Sequence, residues 1–223
     1  MIELVETIDD ALGTLADETT ELGIFAEEVY KNAAAAFYEQ PEQAARIALD
    51  TERVCQQVYH TIHQKGLAVL AWYQPTTDEV RRVVELQHIA AELARIGYDG
   101  RLIAEQALAL RGSAEALLRQ LHGPASALLV QLIRQAYREV RGCVVLTTTR
   151  DTVFAKRLLA EDPELDRIFL SYRAALEEAI HQHPQYAAPF QRLLLAGVHI
   201  EDIGNRVVAI ARGLLSTPPQ VSP

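Results

Sequence analysis

Apolar positions in this chain recur at alternating steps of three and four residues, the spacing of one face of an α-helix rather than the alternation of a strand. The pattern is clearest in two segments. In the first, the repeating positions are Val83, Leu86, Ala90, Leu93, Gly97, Gly100, Ala104 and Ala107. In the second, they are Leu193, Gly197, Ile200, Gly204, Val207, Ala211 and Leu214. Both segments are therefore predicted to be long helices that bury one face.

The two segments are related by a fixed offset. Leu193 lies 107 positions after Leu86, and the same offset carries every later position of the first series onto the second. Such self-similarity indicates an internal duplication. Gly97 and Gly204 are equivalent positions inside the two helices, where glycine destabilises a helix relative to alanine. We therefore expect each glycine to let a second helix approach closely.

Proline and glycine divide the chain into six segments long enough for helices. The breaks are expected near residues 40–41, 74–75, 111–124, 162–163 and 183–184. The β-branched run 143–149 follows a helical pattern and is interpreted as a helix end, not a strand. The predicted fold is all-α, a tandem duplication of a three-helix unit in a six-helix bundle. The units span residues 1–112 and 113–215, and a proline-rich tail at 216–223 is predicted to be disordered.

The composition of the chain disfavours several classes of function. Of the 223 residues, 49% are hydrophobic, and 30 acidic residues against 21 basic ones give a formal net charge of −9. That charge disfavours binding to nucleic acid or anionic lipid. No stretch approaches the roughly 18 apolar residues of a membrane span, and the acidic N-terminus is unlike a secretory signal. With two cysteines and no Cys-x-x-Cys spacing, a reducing, cytoplasmic location is expected.

The duplicated strings resemble a known family. Glu-Leu-Ala-Arg-Ile-Gly-Tyr at 92–98 with Ile-Ala-Glu at 103–105, and His-Ile-Glu-Asp-Ile-Gly-Asn at 199–205 with Ile-Ala at 210–211, are similar to the paired third-helix motifs of the PhoU family. The stretch 155–166 (AKRLLAEDPELD) also resembles the family's second-helix string. The resemblance runs from about Val5 to Leu215 and implies two tandem three-helix repeats.

The resemblance also implies a function. PhoU proteins regulate phosphate uptake and phosphate signalling, so the chain is expected to be a non-enzymatic negative regulator. Its implied partners are the ATPase of a phosphate ABC transporter and a membrane sensor kinase, and a homodimer is expected. The protein would then lie in the cytoplasm, or at the inner face of the membrane through these partners, with no membrane insertion. A metal-binding helical bundle and a diverged scaffold for another transporter are the alternatives.

A metal site is implied in the second repeat only. The family motif places two carboxylates one helical turn apart, so that two such pairs on neighbouring helices can share a cation. Carried onto this sequence, the ligands are Asp162, Asp166, Glu201 and Asn205, which could hold one divalent cation or iron. The corresponding positions of the first repeat are expected to be Asp50, Val54, Ala94 and Tyr98, with one carboxylate among them. The alternative is a solvated polar face.

Three other histidine patterns carry little weight. Two of them have the Glu-x-x-His spacing of di-iron bundles, and the third is a His-x-x-His pair: Glu85 with His88, Glu178 with His181, and His60 with His63. Two Glu-x-x-His matches arise easily by chance in a chain rich in Glu. The His-x-x-His pair lies among glutamines, which indicate a solvent-exposed helix face. We do not expect these residues to bind a metal.

No residue is predicted to be catalytic or to bind an organic cofactor. Cys55 and Cys143 lie in apolar surroundings and are interpreted as core residues rather than nucleophiles. The sequence has no glycine-rich phosphate loop. Trp72 and Tyr73, near the end of a predicted helix, are expected to cap the core, and the alternative is that they anchor a partner.

Overall fold

The computed structural model describes residues 7–38, 41–110 and 124–216, apart from the side chain of Asp162. These residues form six long helices and no strand. The helices are α1 (Ile8–Ala35), α2 (Pro41–Trp72), α3 (Thr77–Leu110), α4 (Pro124–Thr149), α5 (Thr152–Gln182) and α6 (Ala187–Ser216), with a short 3-10 turn at Pro184–Tyr186 before α6. The all-α prediction is confirmed.

Local side chains fix two of the helix starts. Thr76 and Glu79 form a capping box before α3, in which the Glu79 carboxylate accepts a hydrogen bond from the Thr76 backbone N–H at 2.6 Å. The Thr76 hydroxyl also donates to this carboxylate at 2.7 Å, and the hydroxyl and backbone bonds together lower the pKa of Glu79. Asp151 caps α5 by accepting from the N–H groups of Val153 and Phe154 at 2.8 and 3.1 Å. Each cap satisfies N–H groups that lack a partner within the helix.

The predicted break at residues 162–163 is wrong. Helix α5 continues through Pro163, and the chain turns instead at Arg150, whose φ is 52°. Proline removes one helical hydrogen bond, but the buried side chains of Leu158 and Leu165 hold the helix on both sides of it. Packing therefore outweighs the local preference. The interpretation of 143–149 as a helix end is confirmed, since α4 ends at Thr149.

Helices α1, α2 and α3 pack against one another, and so do α4, α5 and α6. Helix α3 also lies along α6, and α1 contacts α4, so the two groups of three share one core. Every position of the two predicted apolar series is buried. The proposed boundary at 112–113 lies outside the described residues, and so does the predicted tail 216–223 apart from Ser216, which ends α6.

Equivalent tyrosines of the two repeats form hydrogen bonds between α1 and α4. The hydroxyl of buried Tyr30 donates to the Ile133 carbonyl at 3.0 Å. Tyr137, which follows Tyr30 by the same 107 positions, donates its hydroxyl to the Glu27 carboxylate at 3.0 Å. Each tyrosine thus reaches from its own helix to the equivalent helix of the other group.

Trp72 is an exception to the predicted core. Its side chain is 63% exposed, so the expectation that it caps the core is wrong. Trp72 lies three residues beyond Val69, the last buried residue of α2, and this end of the helix leaves its side chain at the surface. In the described part of the chain, none of the helices is long and apolar enough to cross a membrane.

Candidate functional site

The residues predicted to bind a metal lie on α5 and α6. Asp166 is exposed on α5, and Glu201, which is half-buried on α6, accepts a hydrogen bond from the Asn205 amide at 3.0 Å. Asp162 lies on α5, but its side chain is outside the description. Among the described side chains, neither Asp166 nor Glu201 belongs to a group of three acids, histidines or cysteines close enough to share an ion. The four-residue site stays a prediction.

The packing beside this site agrees with the expected role of Gly204. A Cβ atom at Gly204 would overlap the Leu165 side chain, so α5 and α6 approach closely there. That Cβ atom would lie 3.3 Å from Oε2 of Glu139. Glu139 is a buried acid on α4, and its carboxylate accepts a hydrogen bond from Gln135 at 2.9 Å. The sequence motifs did not indicate Glu139, although its place on the apolar face of α4 is unusual for a carboxylate.

The first repeat needs a corrected alignment of α2 with α5. Gly97, the equivalent of Gly204, faces Cys55 at 3.4 Å, so Cys55 takes the place that Leu165 takes in the second repeat. The counterparts of Asp162 and Asp166 are then Glu52 and Gln56, not Asp50 and Val54. Gln56 donates a hydrogen bond to the buried Glu52 at 2.9 Å, while Asp50 forms a surface ion pair with Arg53.

The junction of α3 and α6 brings together charged residues that the motifs did not single out. Nδ1 of His199 lies 3.3 Å from Oδ1 of Asp99, and a carboxylate oxygen of Asp202 lies within 4.8 Å of both ligand atoms. We call these three residues the Asp–His–Asp cluster. Within the described residues, it is the one group of three side chains of this kind that could hold a metal ion.

A second cluster at the junction of α3 and α6 is formed by the positions equivalent to these in the other repeat. Glu92 is buried between two arginines: Arg95 Nη1 lies 2.8 Å from Oε1 and Arg206 Nη1 lies 3.8 Å from Oε2. We call these residues the Arg–Glu–Arg cluster. The 107-residue offset equates Glu92 with His199, Arg95 with Asp202 and Asp99 with Arg206. Each acidic position of one cluster is therefore a basic position of the other.

The sequence contained a signal for these clusters. The three positions stand inside the duplicated strings, and their charges change sign between the copies. A sign change at equivalent positions is expected when the two copies face each other, because opposite charges then meet across the junction. Recognising it required knowing that α3 packs along α6, which the helical spacing alone does not establish.

The thiols are unsuited to nucleophilic chemistry. Cys55 and Cys143 are both buried, and burial raises the pKa of each to about 12. The nearby carboxylate of Glu52 also contributes to the raised pKa of Cys55. Because the thiolate is the reactive form, both side chains are protonated near neutral pH and serve as small core residues.

We expect both thiols of the native protein to resist a thiol-reactive dye such as Ellman's reagent at pH 8. Denaturation should release two reactive thiols per chain, which matches the two cysteines of the sequence. The native protein and the protein in guanidinium chloride are compared over minutes. Rapid labelling of either thiol in the native protein would contradict the buried, protonated assignment.

The chain was compared with known proteins on the basis of sequence and fold. A family model for the PhoU domain matches residues 19–107. A PhoU homologue from Rhizobium meliloti (strain 1021), described as a phosphate-specific transport system accessory protein, is 26% identical over 210 residues, which cover 93% of this chain and 85% of that protein. An identically described homologue from Aquifex aeolicus (strain VF5) is 24% identical over 203 residues, 90% of this chain and 78% of that protein.

The chain is thus similar to PhoU proteins, with a PhoU domain match at residues 19–107. Its fold agrees with two crystal structures of PhoU proteins. The protein from Pseudomonas aeruginosa aligns with a TM-score of 0.85 at 18% identity, covering 94% of this chain and 97% of the other. The protein from Streptococcus pneumoniae aligns with a TM-score of 0.79 at 18% identity, covering 94% and 95%. The resemblance to the PhoU family expected from the paired strings is confirmed by the domain match and the two homologues.

Proposed function

We propose that this protein is a negative regulator of phosphate uptake and phosphate signalling. The observation that carries the proposal is similarity along nearly the whole chain, 93% of its length, to a PhoU homologue described as an accessory protein of a phosphate-specific transport system. The similarity covers all six helices, so the regulator's complete architecture, and not one motif, is shared.

The regulator acts as a non-enzymatic adaptor. It contacts the ATPase of a phosphate ABC transporter and a membrane sensor kinase, and it works in the cytoplasm or at the inner face of the membrane as a homodimer. The protonated state of the two buried thiols supports a role without covalent catalysis. A bundle of long helices with large polar faces also suits protein contacts, since it offers wide rigid surfaces.

Binding to the transporter ATPase tests the adaptor role. The purified chain is immobilised, and the ATPase subunit of the phosphate importer from the same organism is passed over it by surface plasmon resonance. The ATPase of an importer for a different nutrient is the control. Saturable binding of the first ATPase and not of the second is expected. Binding of the control ATPase alone would instead support the diverged scaffold for another transporter.

A further inference from the structure

We propose that the Asp–His–Asp cluster is a binding site for a divalent transition-metal ion that links α3 to α6. The ligands are Asp99 from α3 and His199 and Asp202 from α6. This site is distinct from Asp162, Asp166, Glu201 and Asn205, and it does not depend on the proposed regulatory function. A first-row ion such as Zn²⁺ is the class expected, because imidazole is a good ligand for these ions and a poor one for Mg²⁺ or Ca²⁺.

The separation of the first two ligand atoms fits a shared ion. Nδ1 of His199 and Oδ1 of Asp99 are 3.3 Å apart, and two ligands on a tetrahedral zinc ion are about 3.4 Å apart when each bond is about 2.1 Å. The two atoms are not aligned as a hydrogen bond, since Nδ1 of His199 is buried and has no hydrogen-bond partner among the described residues. A buried ring nitrogen of this kind calls for a proton donor, an acceptor or a metal.

The charge balance distinguishes the two clusters. In the Arg–Glu–Arg cluster, one buried carboxylate faces two guanidinium groups. In the Asp–His–Asp cluster, two carboxylates face a single imidazole. A divalent cation with two carboxylates and a neutral imidazole forms a neutral group. The Asp99 side chain is only 10% exposed, so a cation bound to its carboxylate offsets the cost of burying that charge.

The third ligand is available for the ion. Asp202 is half-buried one helical turn after His199, so that both side chains project from the same side of α6. In the described part of the structure, the hydrogen bonds and ion pairs of the junction do not include the Asp202 carboxylate. Its oxygen lies within 4.8 Å of the other two ligand atoms, so a small side-chain rotation completes three-fold coordination. Water fills the remaining position of such sites.

Zinc titration of metal-stripped full-length protein tests this site. Isothermal titration calorimetry with Zn²⁺ at neutral pH is expected to show one tight equivalent in the wild type. His199→Gln and Asp202→Asn should each weaken that equivalent by at least about tenfold, the lower end of losses seen even for residues that only support a ligand. Mg²⁺ at the same concentration should not displace the zinc. Circular dichroism confirms that each variant keeps its helices.

Two matched variants serve as controls. His60→Gln removes an exposed histidine of the His-x-x-His pair, and Asp166→Asn removes a member of the other predicted metal site. Both should bind the tight equivalent as the wild type does. The proposal is overturned if wild-type and His199→Gln protein bind zinc alike, or if His60→Gln or Asp166→Asn abolishes the tight equivalent. Should His199→Gln unfold, Asp202→Asn decides alone, since its carboxylate is only partly buried.

Discussion

Replacing Tyr172 by alanine will lower the free energy of unfolding by about 3–5 kcal/mol, the usual cost of removing a fully buried aromatic side chain. Tyr172 lies on α5 with no exposed surface, and its hydroxyl donates a hydrogen bond to the Leu193 carbonyl of α6 at 2.9 Å. The ring also packs on Gly197, where a Cβ atom would lie 2.6 Å from Cε1. The variant therefore loses both packing and a bond between two helices.

Tyr172→Phe is the matched control for this change. It keeps the ring and loses only the hydroxyl, so a decrease of about 0.5–1.5 kcal/mol is expected. Both values come from urea unfolding followed by circular dichroism at 222 nm. Equal losses in the two variants would mean that the hydrogen bond, and not the packed ring, holds α5 to α6, contrary to the arrangement described here.

Replacing Gly100 by alanine will destabilise the first repeat by about 1–3 kcal/mol, the typical cost of forcing an extra methyl group into a packed core. A Cβ atom at Gly100 would lie 2.8 Å from Cγ1 of Val29 and 3.5 Å from the backbone nitrogen of Tyr30. Val29 cannot turn aside readily, because a β-branched side chain in a helix has one strongly preferred rotamer. Helix α3 must therefore move away from α1.

Gly13→Ala is expected to have the opposite effect on the stability of the same protein. Gly13 lies inside α1, and a Cβ atom there would meet nothing within 4 Å. Alanine at this position should raise the free energy of unfolding by about 0.5–1 kcal/mol, because it favours the helix. Urea unfolding of both variants measures the contrast. A stabilised Gly100→Ala protein would show that α1 and α3 are not in close contact at that position.

The helices could be predicted because their apolar spacing relates residues only three or four positions apart in the sequence. The apolar series through Leu86 and Leu193 became the buried faces of α3 and α6, and the offset between them identified the duplication. The predicted break at Pro163 is wrong because the sequence signal is local, whereas packing on both sides of the proline offsets a local penalty of about 3 kcal/mol. The exposure of Trp72 could not be predicted, because the position of the end of α2 relative to the bundle is a tertiary property.

The candidate sites were predicted less well for the same reason. Glu201 and Asn205 lie one helical turn apart on α6 and are hydrogen bonded to each other, but the four-residue metal site stays a prediction. The Asp–His–Asp cluster was missed because Asp99 and His199 are 100 positions apart in the sequence, and only the packing of α3 on α6 brings them together. Spacing rules act within one helix, whereas this cluster forms between two helices.

The regulatory role is tested most directly by deleting the gene in the organism that encodes it. Phosphate uptake and a reporter of the phosphate-starvation response are then measured in phosphate-rich medium. We predict that the deletion strain keeps high uptake and an active reporter when phosphate is plentiful, and that a plasmid copy of the wild-type gene restores repression. Uptake and reporter activity equal to those of the parent strain in both media would contradict a role in the control of phosphate transport.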